Sequence, residues 1–469
     1  MELYRSAVGR FVESAQRLDS FDVSKGVQLE STPVSIRFVG VPWHANEIER
    51  LVSIGEYEVQ DITPNKQNGL GVPLVALRHS ERPFIRADGA FAATALLKPT
   101  EDGSMVLDVL DSRLNRVVTE LGRQVPIAFD LTAPLTYYEK QFENTWLKGF
   151  LRPEQPVASN GLMMVDPYQP GRIPLLMVHG LASDPMTWAT MANELTMHPD
   201  LMQHYQLWLF QYPTGTPFPM EAAKLREQLV NLRDQIDPNH QDVALDNIVV
   251  IGHSMGGLMA KLQITDSGDR LAHAVFAKPI TELSLSREQE QQIQATFHFQ
   301  PSSQIRRVIF LGTPHRGSKI ASNAVGRLAS KLVREPKEIV SSFSQFAREN
   351  ADALLDGKSS IPTSVDLLRP GNPVLETIFE LPVAPHVKLH NVIGCSHGGR
   401  FGIEKSDGVV PVSSARHPGT TSELLVDSGH YLHQHDESIR EVIRILKQHL
   451  TTPNSFAQAH SGRVIVQTK

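Results

Sequence analysis

The sequence has very little cysteine, and it lacks both long apolar runs and blocks of basic residues. Its 469 residues include a single cysteine, Cys395, so no disulfide can form within the chain, as in proteins of a reducing compartment. No run reaches the roughly 18 apolar residues that a membrane helix needs. Arg5, Arg10 and Glu13 interrupt the apolar core that a signal peptide would have. We therefore expect a cytoplasmic protein.

Motifs for binding nucleotides, nucleic acids and metals are also missing. The net charge of −6 and the lack of a basic block argue against a nucleic-acid partner. Neither G-x-G-x-x-G nor a Walker pattern occurs, and the 19 histidines include no H-E-x-x-H pair. Cys395 with His397 would be a poor metal ligand set. We expect no cofactor and no metal, and the oligomeric state is left open.

The first 150 residues are predicted to form an N-terminal β-rich accessory domain with a leading amphipathic helix. Short apolar runs broken by Gly, Pro and Asp indicate strands at 34–39, 74–78, 92–97 and 105–110, arranged as a small β-sandwich. The helix is predicted from apolar residues at helical spacing, namely Leu3, Ala7, Phe11, Ala15 and Leu18. Its polar face mixes both signs of charge, which favours packing on its own domain over peripheral membrane contact.

Residues 165–452 alternate between strand and helix patterns. Nearly continuous apolar runs predict strands at 173–178, 207–210, 248–251, 308–311, 387–393 and 424–426. Between them lie helical stretches such as 221–236. This alternation predicts an α/β fold with a mostly parallel sheet, whose site lies at the carboxyl ends of the strands. Residues 453–469 are predicted to be a C-terminal tail.

A G-x-S-x-G pentapeptide, Gly252-His253-Ser254-Met255-Gly256, directly follows one of these predicted strands and opens a helix-compatible segment. A serine on so sharp a turn takes strained backbone angles, and larger neighbours would collide with it. The strain lifts the hydroxyl to where a base and a substrate can reach it. The context predicts that Ser254 is a nucleophile rather than part of an ordinary glycine-rich turn.

Five motifs in order make residues 170–450 resemble an α/β-hydrolase of the lipase and esterase type. They are His179-Gly180-Leu181, Gly252-His253-Ser254-Met255-Gly256-Gly257, Thr313-Pro314-His315-Arg316-Gly317-Ser318, Ser406-Asp407-Gly408-Val409-Val410-Pro411 and Ser428-Gly429-His430. The third and fourth resemble the lipase-like branch that includes inositol-deacylase type hydrolases. The resemblance implies an α/β-hydrolase fold with a serine nucleophile, and it leaves the first 150 residues unexplained.

A serine hydroxyl needs a base, and the base needs an orienting carboxylate; in this fold they follow in the order Ser, acid, His. Asp407 lies in the loop after the predicted strand 387–393 and is the expected acid. Glu404 in the same loop and Asp366, which precedes the strand, are the alternatives.

Three histidines follow the last predicted strand, and one of them should be the base. His430 is expected because it lies close to the carboxyl end of that strand, while His433 and His435 stay open as alternative bases. His253 is expected to pack within the turn. His315 precedes the acid, so its position in the chain order is wrong for a base.

Charge that develops on a substrate carbonyl oxygen needs fixed N–H donors, each worth roughly 3 kcal/mol. The amide of Met255, at the N-terminus of the helix after the turn, is one expected oxyanion donor. The amide of Leu181, in the loop after the first buried strand, is the other.

Ser254 and Asp407 are 153 residues apart (407 − 254), and the excess length lies in insertions at 265–304 and 319–385. These insertions are either a cap that gates an apolar substrate or ordinary packing helices. A cap would favour a lipid or long-acyl ester.

The sequence therefore predicts a carboxylic ester hydrolase that acts on a small-molecule ester or lipid through an acyl-enzyme. An acyltransferase, a thioesterase or an amidase would use the same residues. A non-catalytic binding protein that has kept the hydrolase fold is the remaining alternative.

Overall fold

A computed structural model describes residues 2–16, 26–29, 32–54, 62–142, 161–318, 350, 363–399 and 404–451. The chain divides into two compact units. The first contains Met1–Leu147, Met163–Gln169 and Met186–Gln206, and the second contains Lys148–Leu162, Pro170–Pro185 and Leu207–Lys469. Among the described residues, no helix combines the length and the apolar composition needed to cross a bilayer.

The first unit is β-rich, as predicted, and its strands are β1 (Val27–Leu29), β2 (Thr32–Val39), β3 (Ile48–Ser53), β4 (Lys66–Gln67), β5 (Val72–His79), β6 (Asp88–Pro99), β7 (Met105–Asp111), β8 (Val117–Glu120), β9 (Arg123–Pro126) and β10 (Phe129–Asp130). Six of them form one sheet in the order β1-β2-β7-β6-β5-β3. Only the β2–β7 pair in this sheet is parallel. The remaining four form two-stranded pieces, β10-β4 and β8-β9.

The expected β-sandwich is wrong, because the described residues form one six-stranded sheet without a second large one, and helices, loop residues and the short strand β10 pack on its faces. On one face, Phe91 and Ala93 of β6 pack in a core with Val8 of helix α1 (Glu2–Ala15). On the other face, Ala92 packs with a cluster that includes Ile127. Helix α2 (Ala133–Phe142) contributes Ala133 to a neighbouring cluster on β5 and β6. Alternate side chains of one strand therefore supply both cores.

Helix α1 forms where the spacing predicts, but its buried face is rotated from the expected one. Val8 and Val12 are each 2% exposed and Ala15 is 4% exposed, whereas Leu3 is 88% exposed. Leu18 lies outside the described residues. The helix packs on the sheet of its own unit, as expected.

The second sheet has seven strands: β11 (Gly161–Met164), β12 (Ile173–Val178), β13 (Tyr205–Gln211), β14 (Ile248–His253), β15 (Ile305–Leu311), β16 (Lys388–Gly394) and β17 (Thr420–Val426). Their order is β11-β13-β12-β14-β15-β16-β17. From β12 to β17 every neighbouring pair is parallel. All residues of β12 and β14 are buried, which is why these strands read as continuous apolar runs. The predicted α/β fold is confirmed.

The other α-helices within the described residues are α3 (Ala189–Thr196), α4 (Pro199–Met202), α5 (Phe218–Ile236), α6 (Met255–Leu262), α7 (Arg270–His273), α8 (Arg287–Phe297), α9 (Ser364–Leu367), α10 (Pro373–Glu380), α11 (Val412–Ala415) and α12 (Asp436–Thr451). Helices α7 and α8 belong to the insertion predicted at 265–304. There Phe276 packs against Phe297 with ring centroids 5.3 Å apart, in a small apolar cluster of its own. Most of the insertion at 319–385 lies outside the described residues, and a cap stays a prediction.

Candidate active site

Ser254 occupies a sharp turn between strand β14 and helix α6. Its backbone angles, φ 54° and ψ −123°, lie in a region that residues with a Cβ rarely adopt, at a cost on the order of 1–3 kcal/mol. The Ser254 N–H donates to the carbonyl of Leu311 at the end of neighbouring strand β15, with N and O 2.9 Å apart. The parallel sheet therefore holds the turn in its strained conformation.

The glycines around Ser254 are required by close packing. A Cβ on Gly252 would come 2.5 Å from the Cα of Gly257, because the turn folds the strand back against the helix. A Cβ on Gly256 would overlap the carbonyl oxygens of Val178 and His179. Only glycine lets helix α6 approach strand β12 so closely.

The structure brings Ser254, His430 and Asp407 together. The Nε2 atom of His430 lies 2.9 Å from the Oγ atom of Ser254. The Nδ1 atom of the same ring lies 2.7 Å from Oδ2 of Asp407. With a proton on Nδ1, the ring donates to the carboxylate and offers the Nε2 lone pair to the serine hydroxyl. These three residues come from three separate loops at the carboxyl edge of the sheet.

Asp407 is buried, and its second oxygen is also satisfied. Oδ1 accepts hydrogen bonds from the main-chain N–H groups of Val409 and Val410, with O–N distances of 2.8 and 2.6 Å. The residue is 2% exposed. Gly408, with φ 88°, makes the turn that brings these N–H groups back to the carboxylate. Two main-chain N–H groups and the His430 ring thus fix the carboxylate in position.

The alternative acids, Glu404 and Asp366, and the alternative base His435 make hydrogen bonds elsewhere in the structure. Glu404 accepts a hydrogen bond from the N–H of Ser413. Asp366 belongs to the capping box that starts helix α9. His435 directly precedes helix α12, where its carbonyl accepts from the N–H of Ile439. None of these contacts involves Ser254 or His430.

The alternative base His433 is fully buried against His253, with ring centroids 4.3 Å apart. Burial, together with a smaller effect of the neighbouring His430, lowers the pKa of His433 to about 3. The ring is therefore neutral at ordinary pH. Its ring packs against the rings of His253 and Tyr431.

The two expected oxyanion donors belong to segments that adjoin the serine. Gly180 lies so near Ser254 that a Cβ on it would come 3.0 Å from the serine Cβ, which places the 179–181 loop beside the nucleophile. Within the described part of the chain, neither the Leu181 N–H nor the Met255 N–H donates to a protein acceptor. Both donors are thus available to an oxygen bound at the serine.

Two residues that the sequence analysis missed hold this loop. The hydroxyl of Tyr212 donates to the carbonyl of His179 at 2.7 Å, and the two rings are stacked with centroids 4.3 Å apart. The hydroxyl of Thr214 accepts from the N–H of Ala182, which has a positive φ of 52°. In both contacts the two residues are more than 30 positions apart in the sequence, so no local sequence pattern predicts them.

The T-P-H-R-G-S segment, 313–318, follows strand β15 and is hydrogen-bonded to residues that follow Asp407. The Ser414 hydroxyl donates to the carbonyl of Gly317 at 2.7 Å and accepts from the N–H of Arg316 at 3.1 Å. The Ser318 hydroxyl donates to the carbonyl of Val409. The segment thus braces the acid loop.

His315 of the same segment is fully buried and edge-on to the ring of Phe310, with centroids 4.7 Å apart. Burial holds its pKa well below the usual value, with a smaller effect from His417. No contact links His315 to Ser254, in keeping with its place before the acid in the chain.

The parallel sheet and its serine turn define an α/β-hydrolase fold. A model described as the alpha/beta hydrolase family matches residues 175–444, which is more than half of the chain. The chain therefore belongs to the alpha/beta hydrolase family. This finding confirms the resemblance stated for residues 170–450.

Several known proteins resemble parts of the chain. The human "(Lyso)-N-acylphosphatidylethanolamine lipase" is 25% identical over 115 residues, which are 24% of this chain and 32% of that relative. A Bacillus licheniformis lipase in its mature form is 17% identical, with 61% of this chain and 97% of that one covered at a TM-score of 0.36. Lipase 1 from Pelosinus fermentans is 13% identical, with coverage of 60% and 98% and a TM-score of 0.34.

Proposed function

We propose that this protein hydrolyses carboxylic esters, with Ser254 as nucleophile, His430 as general base and Asp407 as the carboxylate that orients the base. The observation that carries the proposal is the unbroken hydrogen-bonded series from Ser254 Oγ to His430 Nε2 and from His430 Nδ1 to Asp407 Oδ2, at 2.9 and 2.7 Å. Membership of the alpha/beta hydrolase family supports the same reaction class.

In the first half-reaction, Ser254 Oγ attacks the ester carbonyl carbon while its proton passes to Nε2 of His430. Charge on the carbonyl oxygen is stabilised by the N–H groups of Leu181 and Met255. The tetrahedral intermediate collapses as the C–O bond to the alcohol breaks, and the alcohol leaves with the proton from Nε2. The product is an acyl ester on Ser254.

In the second half-reaction, water attacks the acyl carbonyl and gives its proton to His430. Collapse of this intermediate releases the carboxylic acid and returns the proton to Ser254 Oγ. Asp407 orients the ring and stabilises the imidazolium that forms twice per turnover. The two N–H groups that bind Asp407 Oδ1 keep the other oxygen directed at the ring.

We infer that the substrates are acyl lipids or other esters with an apolar acyl chain. The human relative, which this chain matches over part of its length, is named for a lipid substrate. The apolar cluster of the 265–304 insertion, with Phe276 and Phe297 in contact, would suit a cap over such a chain.

The test is a panel of esters with acyl chains of graded length and a fixed leaving group, together with a glycerophospholipid. We expect kcat/KM to rise with acyl length. S254A should abolish turnover, whereas S286A, which removes only the N-cap of helix α8, should keep it. Equal rates on two-carbon and long-chain esters would contradict the lipid assignment, and turnover by S254A would contradict the nucleophile.

Transfer and hydrolysis can be separated in the same assay. An added alcohol acceptor competes with water for the acyl-enzyme, so the ratio of acyl alcohol to free acid reports the partition. We expect free acid as the main product. Predominant transfer at low acceptor concentration would assign the chain as an acyltransferase.

A further inference from the structure

His253, the residue before Ser254, was expected only to pack within the turn, but the structure gives it a specific partner. Its Nε2 atom lies 2.8 Å from the main-chain oxygen of His430. Because a carbonyl can only accept a hydrogen bond, Nε2 must carry the proton. His253 is therefore a donor to the backbone of the residue that faces Ser254.

The surroundings of His253 keep it in the neutral form. It is 5% exposed, and burial holds its pKa well below the usual value, with further lowering by His433 and His430. The His433 and His430 rings have their centroids 4.3 and 4.9 Å away. Neutral histidine carries one ring proton, and here that proton is committed to the His430 carbonyl.

The hydrogen bond between His253 and His430 joins two segments that carry residues of the candidate active site. His253 is covalently joined to Ser254, so the hydrogen bond ties the backbone of His430 directly to the turn of the nucleophile, across 177 residues of chain. His430 is in a loop after strand β17, where the described backbone is neither helix nor strand. A ring whose Nε2 must stay at 2.9 Å from Ser254 Oγ needs such a restraint.

We propose that His253 is a positioning residue that fixes His430 relative to Ser254 through the His430 main-chain carbonyl. The inference rests on the proposed function, because it assigns His430 the role of base. It predicts that loss of the donor lowers the rate of the chemical step and leaves substrate binding nearly unchanged. A misplacement of about 1 Å at a reacting group can cost on the order of 100-fold in rate.

Three substitutions separate the donor from the shape of the ring. H253F keeps an aromatic ring and removes the donor. H253Q places an amide N–H at about the reach of Nε2, and H253N carries the same amide on a chain one methylene shorter. We expect H253F and H253N to lower kcat by about 10- to 100-fold with little change in KM, and H253Q to stay within a few-fold of the wild type.

The kinetic measurement is paired with the downfield proton NMR signal of His430 Nδ1–H in the resting enzyme. We expect a sharp signal in the wild type and in H253Q, and a shifted or broadened one in H253F and H253N. This readout needs no substrate. Thermal unfolding of each variant reports any general loss of stability, and H253N serves where H253F does not fold.

Unchanged kcat in both H253F and H253N would overturn the inference. So would an equal loss in H253Q and H253N, because the ring rather than the donor would then be required. Failure of the proposed function looks different: the wild type itself would not turn over esters, while the NMR comparison among the variants would still report on the His253–His430 bond.

Discussion

Two buried aspartates, one in each unit, differ in the side chain they contact: one pairs with an arginine and the other with a histidine. Asp111 of the first unit is 1% exposed and pairs with the guanidinium of Arg113 at 2.7 Å. Asp407 of the second unit is 2% exposed, and its side chain faces two main-chain N–H groups and the ring of His430. Arginine is always charged, whereas histidine gains and loses a proton near neutral pH.

The kind of partner decides which buried carboxylate can take part in chemistry. Arg113 also binds Asp166 at 2.7 Å, so the three residues form a closed ion-pair network within the first unit. Such a network has no proton to exchange. Asp407 sits beside a group that can accept a proton and release it, and that group reaches Ser254. We expect substitutions in the first network to affect stability and those around Asp407 to affect rate.

The largest expected effect is that of D407N on turnover. An amide at this position keeps the shape but favours the wrong tautomer of His430, and kcat should fall by about 10⁴-fold. Ester hydrolysis under single-turnover conditions measures it. The matched control is E404Q, in the same loop, which should stay within about twofold of the wild type. A similar loss in both variants would mean that the loop, and not this carboxylate, is what matters.

The next effect is that of D111N on stability. An asparagine at this position removes one of the two negative charges that balance the buried Arg113 guanidinium. We expect a loss of about 3–5 kcal/mol in the free energy of unfolding. Urea denaturation of the full chain gives this value. kcat per folded molecule should be unchanged. A loss of kcat without destabilisation would contradict the assignment of Asp111 to stability and Asp407 to catalysis.

A buried lysine of the second unit extends the comparison to cations. Lys261 on helix α6 is fully buried, and its Nζ donates to the carbonyl of Phe379 at 2.7 Å. Burial lowers the pKa of Lys261 to about 7. Between pH 7 and the ordinary lysine pKa, the unfolded chain binds a proton that the folded chain does not, so stability falls as the pH falls through this range.

We therefore expect K261M to gain stability relative to the wild type as the pH is lowered from about 10 to 7, on the order of 3–4 kcal/mol. Below pH 7 both states of the wild type hold the proton, and the difference should level off. Chemical denaturation at several pH values measures the trend. A difference that is constant from pH 7 to 10 would show that Lys261 stays charged in the folded protein.

The smallest expected effect is that of Y212F. Loss of the hydroxyl frees the carbonyl of His179 and loosens the loop that carries the Leu181 N–H. The stacked ring is kept, so we expect about a 10-fold loss in kcat, corresponding to the roughly 1.4 kcal/mol of one neutral hydrogen bond. Steady-state kinetics on a short ester measures it, and an unchanged kcat would separate the loop from catalysis.

Strands β12 and β14 of the second sheet could be predicted because they are buried on both faces. Strand β12, Ile173–Val178, has the predicted bounds, and every one of its residues is buried. The serine turn could be predicted because close packing forces glycine at fixed positions. In both cases the constraint acts within a few residues, so it leaves a local pattern.

Features that depend on distant partners could not be predicted in the same way. Leu3 fits the apolar spacing of helix α1 but is 88% exposed, because the sheet beneath selects Val8 and Val12 instead. The six-stranded sheet of the first unit depends on which strands pair, including the parallel β2–β7 pair. The partners of His253 and Tyr212 lie 177 and 33 residues away, beyond any local signal.

The central claim is that Ser254 is the nucleophile, and reaction of the intact protein with a fluorophosphonate probe tests it most directly. Mass spectrometry of the labelled protein, after digestion, locates the adduct. We expect a single adduct on the peptide that contains Ser254, slower labelling in D407N and none in S254A. An adduct on another residue, or labelling of S254A at the wild-type rate, would contradict it.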